Sequence, residues 1–118
     1  MGSEDLKHRT KAYALRVMRL VAVLPSNRMV DVIAKQLMRS ATSVGANYRA
    51  ACRAKSPPDF IAKMGIVEEE ADESLYWMEL LIEANFVPRE KLVDLMKEGN
   101  EILAMTVSSI KTARNRKA

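Results

Sequence analysis

Apolar residues return every three or four positions along this chain, and proline or small polar residues separate the runs. In the first run Leu6, Tyr13, Val17, Leu20 and Leu24, with Thr10 filling the gap, step by four and three. That is the seam of an amphipathic helix over about residues 3–24, with Ser3 as its N-cap and Glu4 and Asp5 at the positive end of the dipole. The second seam, Val30, Ile33, Leu37, Ser40, Val44, Asn47 and Ala51, predicts a helix over about 27–54. The third, Phe60, Met64, Val67, Ala71, Ser74, Met78 and Leu81, predicts one over about 57–85, capped by Ser56 with Pro57 at its first position. The fourth runs over about 88–113, with Leu92, Met96, Gly99, Leu103, Thr106 and Ile110 inward and Leu95, Ile102 and Met105 in a displaced second row.

No stretch alternates with period two for long enough to make a strand. Pro25, Pro57, Pro58 and Pro88 all fall between seams, where proline costs least. Connections of about two to four residues force each helix to run antiparallel to the one before. The expected fold is all-α, a single domain over residues 1–118: an antiparallel up-down-up-down four-helix bundle.

Composition agrees. The chain has 118 residues, 48% of them hydrophobic, with four glycines and four prolines, which suits one domain and excludes disorder. A single cysteine, Cys52, excludes an internal disulfide and fits a reducing compartment. No apolar run approaches the ~18 residues of a membrane span. The opening MGSEDLKHR has no apolar stretch of the secretory kind, and Leu6 stands where a myristoylation motif needs Ser or Thr.

Charge changes the picture more. The formal net charge is +4, but residues 1–24, 26–56, 57–85, 86–110 and 111–118 carry +3, +5, −7, −1 and +4 in turn. The second helix is a basic rod and the third an acidic one. Lys35, Arg39, Thr42, Ala46, Arg49 and Arg53 recur in steps of four and three opposite the apolar seam, with no acid among them. Such a stripe can track phosphates, and a basic C-terminal tail over 111–118, with Lys111 and Arg114, can add to it. The same stripe also serves as a solvated face or pairs with acids of a neighbouring subunit.

Catalytic chemistry finds little footing. The run Glu68-Glu69-Glu70-Ala71-Asp72-Glu73 invites a metal, yet bundle metal sites need inward carboxylates from several helices and Glu-x-x-His pairs. The one histidine, His8, lies near the start of the chain, and the second helix offers no inward carboxylate. Cys52 and the serines have no histidine in plausible reach, and no Gly-rich phosphate loop is present. The expectation is no enzyme, no cofactor and no metal.

Three polar residues, Ser40, Asn47 and Ser74, fall at core spacing. They form a polar seam, with Asn47 as a register or interhelix hydrogen-bonding device. Gly45, in a stretch of small residues, calls for a close helix approach. Met29, Val32, Met38, Tyr76, Trp77, Leu95, Ile102 and Met105 lie off the main rows. Some widen the core face; the rest point to contacts between subunits.

The segment Gln36-Leu37-Met38-Arg39-Ser40-Ala41-Thr42-Ser43-Val44-Gly45-Ala46-Asn47 resembles the four-helix-bundle family of 23S rRNA-intervening-sequence proteins, and the likeness continues through Arg53-Ala54-Lys55-Ser56, Asp59-Phe60 and residues 69–79. Many members follow the motif asparagine with Ile-Ala-Glu-Gly; here Tyr48-Arg49-Ala50-Ala51 stands instead, so no role of that glutamate carries over. The resemblance implies a bacterial, cytoplasmic protein that assembles as a homopentamer. A similar bundle is the accessory protein of diversity-generating retroelements, a basic pentamer that binds nucleic acid and a reverse transcriptase. The motif supplies Arg39, Ser40, Ser43 and Asn47, in agreement with the basic face and polar seam.

Two functional expectations follow. The first is a non-enzymatic oligomer that binds RNA or DNA through Lys35, Arg39, Arg49, Arg53, Lys111 and Arg114. The second is a protein–protein interaction scaffold whose charged faces serve ring assembly and the docking of a protein partner.

Overall fold

The structure, a computed structural model, describes residues 2–117, and the side chain of Lys117 lies outside the description together with Met1 and Ala118. Four α-helices follow one another: α1 (Ser3–Ala22), α2 (Arg28–Cys52), α3 (Pro57–Glu83) and α4 (Val93–Lys117), with a single 3-10 turn at Arg89–Lys91 before α4. Among the described residues there is no strand. The bundle measures 49 × 21 × 21 Å, the shape of four aligned rods.

Each helix packs on the next, and α4 returns to α1, so that α1 and α3 lie diagonally. The start of α1 meets the ends of α2 and α4, and the start of α2 meets the end of α3. These contacts make an antiparallel up-down bundle. α2 and α3 share the most extensive interface, and α1 and α4 the least.

The helix boundaries follow from local chemistry. Asn27 caps α2 by accepting a bond from the Val30 amide at 2.9 Å, and Ser56 caps α3 from the Asp59 amide at 3.2 Å. α1 begins one residue earlier than the sequence suggests: Gly2, not Ser3, is the N-cap, and no side chain closes that end. α3 stops at Asn85, whose φ of 64° is left-handed, and the Phe86 amide then reaches back to the Leu81 carbonyl at 3.0 Å. Pro88 is extended and does not open α4; a 3-10 turn closes first, and buried Leu92 anchors the true start. α4, expected to end at about residue 113, continues without a break to Lys117, so the basic tail is helical as far as it is described.

The seams build the core. Tyr13, Val17, Leu37, Val44, Met64, Val67, Met78, Leu81 and Leu92 are all fully buried. On α4 both rows contribute: Gly99, Thr106 and Ile110 of the expected inner row are buried, with Leu92 just before the helix, and so are Leu95 and Ile102 of the second row, while Met96, Leu103 and Met105 are only half-buried. Tyr48, outside the expected α2 seam, is also buried. At the bundle centre the Tyr13 hydroxyl and the Ser74 hydroxyl are bonded at 2.7 Å across the diagonal, and Ser74 also donates to the Ala71 carbonyl.

Candidate nucleic-acid interface

The polar seam divides into unlike parts. Ser40 is buried but spends its hydroxyl on the Gln36 and Leu37 carbonyls of its own helix. Asn47 is half-buried, and its amide donates to the Ser43 carbonyl at 2.8 Å, so among the described residues of one protomer it bonds no other helix. Only Ser74 joins two helices. Burial outweighs that bond and pushes the Tyr13 phenol up to about 12.

The stripe on α2 is exposed over its whole length, from Lys35 to Arg53. Its members nevertheless differ. Arg39 reaches sideways to α3, bonding Glu70 at 3.0 Å and also Glu73, and these carboxylates raise its pKa further. Lys35, Arg49 and Arg53 make no ion pair among the described residues. Lys111 and Arg114 are exposed on the last turns of α4.

The second half of α2 lies in a groove with the first half of α1. A groove of about 500 Å³ runs there, with Lys7, His8 and Lys11 on one rim, Arg49 and Arg53 on the other, and Ala14, Thr42, Gly45 and Ala46 along the floor. Gly45 explains the closeness of the two helices: a Cβ there would stand 3.2 Å from the Thr10 Oγ1. Glu4 is the one carboxylate on the rim, and it pairs with Lys7 at 3.3 Å. Thus the structure brings Arg49 and Arg53 together with cations of α1, leaves Lys35 further along the rod, and ties Arg39 to α3. Lys111 and Arg114 share this end of the bundle without lining the groove.

Lys7, His8 and Lys11 escape a reading of helix 2 alone. Their signal is the antiparallel register, which sets the basic start of α1 beside the basic end of α2. A neighbouring cavity of about 870 Å³ at the same end is lined by Tyr48, Cys52, Lys55, Ser56 and Arg116 among others. There burial and the adjacent Cys52 thiol raise the Tyr48 phenol. Among the described residues no group of three or more His, Cys, Asp or Glu is placed to hold a metal ion, and no helix is long and apolar enough to cross a membrane.

The model of the 23S rRNA-intervening sequence protein family matches residues 4–108, nearly the whole bundle. The chain belongs to that family. A crystal structure at 1.70 Å of a protein of unknown function from Bacteroides thetaiotaomicron, assigned to the S23 ribosomal protein family, superposes with a TM-score of 0.87 at 37% identity. The match covers 94% of this chain and 99% of the other. None of the curated proteins matches. The match to the intervening-sequence family includes both rims of the groove, from Lys7 to Arg53, and stops before Lys111.

Proposed function

We propose that this member of the intervening-sequence protein family is a non-enzymatic, cytoplasmic homo-oligomer that binds nucleic acid, RNA in the first instance, through the groove between α1 and α2. The observation that carries the reading is the convergence of Lys7, Lys11, Arg49 and Arg53 on one groove with small residues on its floor. Cations on two rims, with a floor that leaves room between them, suit a phosphate backbone lying lengthwise. The motif around Asn47 supports a pentamer and a kinship with the accessory protein of diversity-generating retroelements.

The groove alters which residues matter. Arg39, held by Glu70 and Glu73, contributes less than Arg49 and Arg53, while Lys111 and Arg114 extend the positive surface at the same end. In a filter-binding titration with structured RNA, affinity should fall steeply with salt, by roughly 0.7–0.9 decades per decade of salt for each phosphate contacted. Arg49→Glu with Arg53→Glu should abolish retention at low salt, and Arg39→Ala should change it by less than about threefold. Absence of RNA or DNA retention by the wild-type protein at low salt overturns the reading.

A further inference from the structure

Two outward faces of the bundle carry large apolar side chains of the kind that a solitary protein keeps covered. On α1, Leu15 is 42% and Met18 45% exposed. Helical spacing puts them on one row with Lys11 and beside exposed Arg19. On the far side, Met29 and Val32 of α2 are 64% and 61% exposed and Tyr76 of α3 is 51% exposed. Leu80 and Phe86 continue that surface as a largely apolar groove of about 560 Å³ whose lining also includes Arg28 and Glu83.

The two faces differ in charge. Lys11 and Arg19 flank the α1 row, whereas exposed Glu69, Asp72 and Glu83 stand along the outer side of α3. Among the described residues none of these five charges is engaged in an ion pair. α1 and α3 are diagonal in the bundle, so the two faces point away from each other and cannot satisfy one another within a protomer.

We infer that the α1 face of one copy seats in the α2–α3 groove of a second copy, a head-to-tail contact in which Leu15 and Met18 fill the groove and Arg19 meets the carboxylates of α3. The inference rests on the oligomeric reading above and assigns its surfaces. A contact between unlike faces propagates from copy to copy until it closes on itself. It also leaves the groove between α1 and α2 at the opposite end of α1 outside the apolar contact.

Unlike faces make a test that identical faces cannot pass. Two double variants, Leu15→Glu with Met18→Glu and Met29→Glu with Val32→Glu, each spoil one face at exposed positions, and circular dichroism should show native helix content. By light scattering on a sizing column each variant alone should be monomeric, its self-affinity weakened by about 100-fold or more. Mixed in equal amounts they should form a species of twice the 13.3 kDa chain mass, since one intact contact remains between them. A monomeric wild type overturns the oligomeric reading together with this one. A wild-type oligomer that either variant leaves intact, or monomeric variants that fail to pair when mixed, overturns the face assignment alone.

Discussion

Gly99 and Tyr13 meet at the centre of the bundle with no space to spare. A Cβ at Gly99 would stand 2.8 Å from the Tyr13 hydroxyl and 2.9 Å from Leu75 Cδ2. Alanine raises helix propensity by ~1 kcal/mol, but the overlap falls on two buried side chains, and overpacking of this kind costs ~1–3 kcal/mol. Gly99→Ala should therefore be destabilising on balance, read as a lower midpoint in a urea titration. Tyr13 itself predicts an alkaline response. Its phenol titrates near 10 when unfolded and at about 12 when folded, because burial disfavours the phenolate. The unfolded chain thus loses this proton first, and stability falls as pH rises from about 10 to 12, by roughly 2 kcal/mol for this group. Tyr13→Phe should flatten that part of the stability–pH curve at a neutral-pH cost of ~1 kcal/mol for the bond to Ser74, with Tyr48 supplying what slope remains.

At the scale of elements, α2 and α3 are begun by side chains that satisfy an otherwise unpaired amide. Ser56→Ala and Asn27→Ala should each cost ~1 kcal/mol, measured as urea midpoints, whereas Ser3→Ala should cost little because Gly2 occupies the cap of α1. Those same features show what the chain discloses by itself. Three-four spacing located all four helices, proline located the breaks, and Gly45 announced the close approach that Thr10 answers. The third connection was less legible: Asn85 in a left-handed conformation and a 3-10 turn after Pro88 delay α4 to Val93. Neither turn nor delay leaves a periodic trace. The inward face of α4 was legible at Leu92, Gly99, Thr106 and Ile110, but Leu95 and Ile102 are buried in preference to Met96 and Leu103, a choice between apolar neighbours that only the packed helices decide. Asn47 was legible as a polar residue at core spacing, but its choice of the Ser43 carbonyl over another helix depends on how wide the α2 seam lies open.

Taken whole, the molecule is electrically lopsided. The end built from the starts of α1 and α3 and the finishes of α2 and α4 gathers Lys7, Lys11, Arg49, Arg53, Lys55, Lys111, Arg114 and Arg116, while the acids of α3 concentrate from Glu68 onward. No single helix reveals this, because it arises from antiparallel register, and the groove between α1 and α2 was half visible in sequence for the same reason. The least-packed seam, between α1 and α4, is bridged by ion pairs, among the described residues, from Arg9 alone: it bonds Glu98 through Nε at 3.0 Å and Glu101 at 2.9 Å, and both carboxylates hold it firmly protonated. Arg9→Ala should speed amide hydrogen exchange in α1 and α4 while leaving α2 and α3 nearly unchanged, as mass spectrometry of peptides from each helix would show. A rod packed along one edge against α2 and latched along the other by a guanidinium is hinged like a door. Brine that weakens the latch loosens the very rod on which Lys7 and Lys11 ride, so ionic strength reaches the groove twice, once through its counterions and once through its frame.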